Sequence, residues 1–513
     1  MLLAALALLS LASAQPPIDP ANLQKAVDAL PDLGRRAVDS GGVPGIAFAF
    51  IFDGKVQYAE GFGVRKIGEN DPVTTDTVFQ LASVSKPLSS TVIAALITKN
   101  LTTWDSPVNK PSITARYSDP WITSELLISD GFAHRSGLLG PAGGDLEVVG
   151  FNRSTILSRL QYAPESGPFR ITYSYSNYGL TAAAVAAAKS TNTRWEDAAQ
   201  DYLYGPLGLT STSSRDSDFL AQSNRANLHY PVSGSNKTWI PAVHRNADPQ
   251  SPAGGASSNV PDLAKWVQLL MDTGRTGDGE QLISEAAVNA SRLPQIVRGV
   301  DPITNHTGFY ALGWDVDYRD GYTWVGHAGA FEQGVRTLIR YNVEAKIGFV
   351  GLTNCFPTGW PEGIADTVFD IALYGQARQD YVEAWNEIYS TFDSLYDSNP
   401  WAGPPPNNAS SNVPVDAYVG VYSNNYVGTV RIIRQDNSRR WNNEGSGLIL
   451  AFDDSPTTYP LIPWDRDTFL IRGSQPSENS GAIFSLSQDG TQSVGLTLTL
   501  FTDMQADFLA RSG

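Results

Sequence analysis

The sequence predicts an α/β sandwich with a helical subdomain inserted into it, followed by a small all-β barrel-like domain. Three observations carry this. A helix and a β-hairpin open the chain, and strand patterns return only after about residue 311, with mostly helical patterns and long loops between 100 and 300. The segment SNPWAGPPPNNASSNVP at 398–414 has the composition of a linker. Beyond it come short β-rich runs separated by turn residues such as Asp453-Asp454 and Asp489-Gly490.

In chain order, residues 22–40 place Leu23, Val27, Leu30 and Ala37 on one helical face. Residues 45–52 and 55–63 flank Asp53-Gly54, a strong two-residue hairpin signal. A helix is expected over 87–98, with Pro87 tolerated in its first turn. Residues 181–189 are Ala-rich and buried in character, and 262–271 is amphipathic. Strands are expected at 322–327, 334–341 and 347–352. In the tail they are expected at 428–434, 447–452, 468–472, 482–486 and 495–501.

Bulk properties exclude some functions. A net charge of −16 and a pI near 4.7 argue against nucleic acid and against anionic membrane surfaces. Residues 1–14, MLLAALALLSLASA, read as a signal peptide ending in small residues, too short for a membrane span. With sequons at Asn100, Asn152, Asn236, Asn289, Asn305 and Asn408, this predicts a secreted protein. Cys355, the sole cysteine, ends an apolar run and is expected to be a small buried side chain.

The chemistry centres on Ser83-Val84-Ser85-Lys86, at the head of the 87–98 helix. Positions three apart on a helix are neighbours, so one element holds a hydroxyl beside an amine. A desolvated lysine has a lowered pKa and takes the proton of a serine nucleophile. Taken alone, the pair fits a capping serine followed by a solvated lysine better than it fits catalysis. Two further motifs extend it. Tyr175-Ser176-Asn177 offers a phenol as proton relay and an amide for a substrate carbonyl. His327-Ala328-Gly329 offers backbone N–H groups at a strand edge, with glycine allowing close approach.

This combination resembles the serine β-lactamase and penicillin-binding-protein superfamily, in its branch of class C β-lactamases, esterases and D-aminopeptidases (peptidase family S12). The resemblance also includes VPGIAFAFIFDGKVQYAEGFG, TVFQLASVSKPLSS, HRSGL at 134–138, Ala253-Gly254-Gly255 and YALGWDV at 310–316. It implies a β-lactamase/transpeptidase-like antiparallel sheet flanked by helices over residues 15–397. It also implies Ser83 as acylated nucleophile, Lys86 as its activating amine and Tyr175 as proton relay. Asn177 and His327 would contact substrate, and the backbone amides of Ser83 and Ala330 beside Gly329 would form the oxyanion hole. Residues 415–513 resemble the lipocalin-like domain of some S12 peptidases, which in those relatives helps assemble homo-oligomers and shapes access to the cleft.

His327 and Ala328 replace the lysine and threonine that grip a β-lactam carboxylate, so the resemblance implies an ester or a D-amino-acid or peptide amide as the small-molecule substrate. An acyltransferase using the same acyl-enzyme and a non-catalytic binding protein are the alternatives. No cofactor or metal is implied. Tyr422-Ser423-Asn424, His306-Thr307-Gly308 and Ser129-Asp130-Gly131 imitate family motifs. The first is expected in a β domain, the second lacks a preceding strand pattern, and the third lacks an amide. His134 is expected to make a loop hydrogen bond, Arg336 to point outward from its strand, and Trp314, Trp324 and Trp360 to lie in the core.

Overall fold

The computed structural model describes residues 17–109, 115–232, 238–393, 398–406, 413–435 and 446–512. The expected signal peptide and the middle of the expected linker lie outside them. Helix α1 (Pro20–Asp39) is capped by the Asp19 carboxylate, which accepts from Ala21 N at 2.8 Å. Strands β1 (Gly45–Phe52) and β2 (Lys55–Gly63) form the expected hairpin. Asp53 and Gly54 both adopt left-handed φ, +45° and +71°, as a two-residue turn of this twist requires.

The sheet is completed by β3 (Ile296–Val300), β4 (Thr307–Tyr310), β5 (Asp315–Arg319), β6 (Tyr322–Phe331), β7 (Val335–Asn342) and β8 (Ile347–Thr353). Its order is β2-β1-β8-β7-β6-β5-β4-β3, antiparallel throughout. β1 and β8 are apolar along their whole length because both faces are covered. On one face Ile46, Phe48, Phe50 and Phe349 pack with Ala26, Leu30 and Ala37 of α1 and with Ile364, Val368 and Phe369 of α5 (Trp360–Tyr374). On the other, Ala47, Ala49, Val350 and Leu352 join the large core containing α2 (Ser85–Thr98) and α4 (Val260–Met271). α2 is buried continuously from Ser85 to Leu96; its second half, Val92–Leu96, is apolar on all sides, while Ser85, Lys86, Ser89 and Thr91 in the first half are buried with hydrogen-bond partners. α3 (Asn177–Ala188) is Ala-rich, and small side chains let helices pack closely around α2.

The tail strands are β9 (Gly420–Asn424), β10 (Gly428–Arg434), β11 (Leu448–Phe452), β12 (Thr458–Pro460), β13 (Ile462–Asp465), β14 (Thr468–Ile471), β15 (Ser480–Leu486), β16 (Ser493–Leu498) and β17 (Phe508–Arg511). Their order is β12-β11-β10-β9-β17-β16-β15-β14-β13, all pairs antiparallel. The two edge strands β12 and β13 are separated in sequence only by Leu461, so the sheet curls into a nearly closed barrel. Tyr422, Val430, Leu450, Phe469, Phe484 and Leu496 fill its interior. Tyr422-Ser423-Asn424 thus sits in barrel strand β9. Tyr426 anchors the barrel to the larger domain: its hydroxyl donates to Asp145 at 2.6 Å and accepts from Gly143 N at 2.9 Å. Arg159 pairs with Asp454 at 2.7 Å beside it.

Three features differ from the sequence reading. β3 and β4 lie before residue 311, where strands were not expected, and β5 was not among the strands expected after it. β3 is largely exposed and lacks clean apolar alternation, so periodicity conceals it. A strand therefore does precede His306-Thr307-Gly308, which opens β4. The expected strand at 495–501 ends at Leu498 and turns into a 3₁₀ segment, Thr499–Met504.

Candidate active site

Ser83 does not lie within a regular helix. A short ladder between Phe79–Gln80 and Ser257–Ser258 leads into a 3₁₀ turn, Ala82–Val84, and α2 begins at Ser85. Ala82 is held at φ +47°, a left-handed conformation that costs a non-glycine residue about 1–3 kcal/mol. Flanking serines hold this sharp turn in place. Ser85 Oγ accepts from Ala256 N at 2.9 Å, and Ser89 Oγ donates to Pro252 O at 2.6 Å. The turn leaves Lys86 in the first helical turn, its Nζ 2.9 Å from both Ser83 Oγ and Ala253 O.

Burial and the nearby Arg245 charge push the Lys86 amine well below its ordinary range. The Tyr175 phenol moves the opposite way. Burial raises it well above its ordinary range, opposed by a hydrogen bond with Ser83. Lys86 Nζ lies 4.5 Å from the Tyr175 ring centroid. One serine hydroxyl therefore touches an amine whose proton is held less tightly than usual and a phenol that keeps its own and can pass one on. Ser176 caps α3 by accepting from Gly179 N at 3.1 Å, which fixes Tyr175 just outside the helix and Asn177 just inside it. Among the described residues, the buried Asn177 Oδ1 has no hydrogen-bond partner.

β6 crosses directly over the turn that carries Ser83. Thr337 on neighbouring β7 donates to Leu81 O at 2.7 Å. A Cβ on Gly329 would lie 2.9 Å from Ser83 N and closer still to Leu81 O, so only glycine fits. This places the Gly329–Ala330 backbone beside the Ser83 amide. His327 also faces this side, but its ring is fully engaged. Nδ1 lies 2.6 Å from Ala328 O and so carries the proton, and Nε2 accepts from the Tyr310 hydroxyl at 3.0 Å. Burial, with the Lys86 charge, pushes His327 down to about 3. It is a neutral ring at physiological pH.

The structure brings together Ser83, Lys86, Tyr175, Asn177, His327, Gly329 and Ala330. It adds Tyr310 and gives His134 more than a loop hydrogen bond. His134 Nδ1 accepts from Ser176 N at 3.1 Å, and its ring lies 4.3 Å from that of Tyr175 and 4.8 Å from that of Tyr310. The HRSGL segment marked this histidine, but only the fold shows what it braces. Asp130 is likewise structural: buried, it pairs with Arg135 and Arg170, each at 2.9 Å. The outward orientation expected for Arg336 is overturned. Its side chain is buried on the face of β7 opposite Ser83, held by Glu362 and the Tyr389 hydroxyl. The partner carboxylate comes from α5, far off in sequence, so strand alternation alone could not reveal it. Cys355, Trp314, Trp324 and Trp360 are buried as expected.

The chain is similar to known proteins over most of its length. The beta-lactamase family matches residues 23–372, and a domain of unknown function, DUF3471, matches 404–510. An unguisins hydrolase of Aspergillus campestris is 27% identical over 488 residues, covering 90% of this chain and 87% of that protein. Penicillin-binding protein 4 of Amycolatopsis lactamdurans is 26% identical over 319 residues, covering 61% of this chain and 80% of that protein. In fold, the octameric penicillin-binding protein homologue from Pyrococcus abyssi superposes with a TM-score of 0.57 at 18% identity, covering 94% of this chain and all of that one. The family match spans the Ser83 turn, Tyr175 and β6 alike. The chain belongs to the beta-lactamase family and is a serine hydrolase.

Proposed function

We propose that the protein hydrolyses an ester, or an amide of a D-amino acid or small peptide, through an acyl-enzyme on Ser83. The observation that carries this is the 2.9 Å approach of the desolvated Lys86 amine to Ser83 Oγ, with Tyr175 on the same hydroxyl. Lys86 takes the Ser83 proton as Oγ bonds to the substrate carbonyl carbon. The carbonyl oxygen becomes an oxyanion facing the backbone N–H groups of Ser83 and Ala330. The tetrahedral intermediate collapses, the bond to the leaving alcohol or amine breaks, and the proton passes from Lys86 through Tyr175 to that group. Water then attacks the Ser83 ester, giving up a proton to the same pair; the acyl C–Oγ bond breaks, that proton returns to Ser83 Oγ, and the acid leaves. Asn177 holds the acyl side through its amide.

The unguisins-hydrolase name of the Aspergillus relative supports hydrolysis over transfer. The apolar leader and sequons support an extracellular setting. The neutral, fully engaged His327 offers no fixed cation for a β-lactam carboxylate. In a panel of p-nitrophenyl esters, D- and L-aminoacyl amides and a chromogenic cephalosporin, turnover is expected with ester or amide at least tenfold above the cephalosporin in kcat/KM. A cephalosporin turned over fastest would overturn the substrate assignment. Transfer of the acyl group to an added alcohol in preference to water would overturn hydrolysis.

A further inference from the structure

Three segments that carry groups of the site meet at one carboxylate that the mechanism does not use. Glu147 lies in a short helix, Gly144–Val148, with its side chain buried. Its Oε2 accepts from the Tyr178 hydroxyl at 2.8 Å and from Gln250 Nε2 at 2.6 Å. Its Oε1 accepts from Arg245 Nη2 at 2.8 Å and from Arg245 Nε at 3.2 Å. Each donor belongs to a different side of the site. Tyr178 follows Asn177 at the start of α3, three residues after Tyr175. Gln250 precedes the turn Ser251–Gly254, whose Ala253 carbonyl accepts from Lys86 Nζ. Arg245 exchanges two hydrogen bonds with Gln80, just before the turn that carries Ser83. Gln80 Nε2 donates to Arg245 O at 2.6 Å, and Arg245 N donates to Gln80 Oε1 at 3.2 Å. The Arg245 guanidinium lies 4.7 Å from the ring centroid of Phe331, at the end of β6.

The Glu147–Arg245 pair also bears on Lys86 through its charges. Burial and then the Arg245 charge hold the Lys86 amine low, and the Asp315 carboxylate on β5 opposes them. The other titratable groups around the amine are uncharged at neutral pH: burial raises the Tyr175 phenol and lowers the His134 and His327 rings. Glu147 is the main partner of Arg245, and Glu332, just after β6, adds a weaker attraction. Arg153, the other cation near Tyr178, is taken up by Glu196 at 2.6 Å. The field that Arg245 exerts on Lys86 is therefore offset chiefly by Glu147.

We propose that Glu147 is a positioning residue for the reaction at Ser83. It ties the segments bearing Tyr175, Ala253 and Ser83 into one frame around Lys86, and its negative charge limits how strongly Arg245 repels a proton on the lysine. The assignment rests on the acyl-enzyme reading above.

The test is the pH dependence of kcat/KM for p-nitrophenyl acetate on the full-length protein, which reports the free enzyme's base. Glu147→Gln keeps the shape of the side chain and removes its charge. It is expected to lower kcat/KM about tenfold and to move the acid limb to lower pH by about half a unit, because Arg245 is no longer offset. The double variant Glu147→Gln/Arg245→Gln removes the whole pair and leaves no charge there unpaired. Its acid limb should lie at higher pH than that of wild type. Tyr178→Phe removes one hydroxyl and keeps the ring, so kcat/KM should fall about threefold with the limb unmoved. A limb that stays in place or rises in Glu147→Gln would overturn the proposal, since packing that merely loosens admits water and returns the lysine toward its ordinary range. Should circular dichroism show Glu147→Gln unfolded, the other two variants decide. A double-variant limb at or below that of wild type, or an unchanged rate in Tyr178→Phe, would then overturn it. A wild-type protein that takes no acyl group at Ser83 would overturn the acyl-enzyme reading and this role with it.

Discussion

Lys86→Arg is expected to lower kcat/KM by about 10²–10⁴, the usual contribution of a general base, while the protein stays folded. Arginine keeps the charge, but a guanidinium does not release its proton in a protein, so nothing accepts the proton of Ser83. In the wild type, burial and the Arg245 charge hold the Lys86 pKa well below 10.5. The amine is a base only above its folded pKa. Acylation therefore rises with pH through that value and reaches a plateau above it. The unfolded chain binds the lysine proton more tightly than the folded one does. Stability thus increases as pH climbs from the folded pKa toward 10.5. Lys86→Met should remove that slope along with activity. Stopped-flow acylation by p-nitrophenyl acetate across pH checks this. A Lys86→Arg rate within tenfold of wild type would place the base elsewhere.

The largest expected stability effect is at Asp130. Its carboxylate is fully buried, pairs with Arg135 and Arg170, and accepts from Leu127 N at 3.1 Å. Asp130→Ala leaves two guanidinium groups facing a buried gap and is expected to cost about 3 kcal/mol. Arg135 follows His134, and Arg170 opens the loop that carries Tyr175, so kcat should fall as well. Urea denaturation measures the first effect and ester turnover the second. A loss of stability below 1 kcal/mol would show that Asp130 is not the pin between these loops.

Local chemistry made much of this protein legible. The hairpin follows from Asp53-Gly54, because few residue pairs tolerate two left-handed positions in succession. α2 and the continuous apolar strands follow from burial on all sides. Ser83, Lys86, Tyr175, Asn177 and β6 could be singled out because each lies in a short string, and the fold brings them to one place. Longer-range partnerships were not. Tyr310 reaches His327 across 17 residues, and Ser176 reaches His134 across 42. Arg336 looked like an exposed strand residue because its partner Glu362 lies on a helix packed behind the sheet. β3 was hidden because a half-exposed strand need not alternate. Ser129-Asp130-Gly131 shows the opposite hazard: a string that imitates catalysis proves to be an ion-pair hub.

The account stands most directly on a covalent bond at Ser83. Intact-protein mass spectrometry after reaction with a fluorophosphonate, followed by peptide mapping, measures it. The expected result is one adduct per chain on the peptide containing Ser83, and none on Ser83→Ala. A wild-type protein of unchanged mass, or equal labelling of Ser83→Ala, would contradict it.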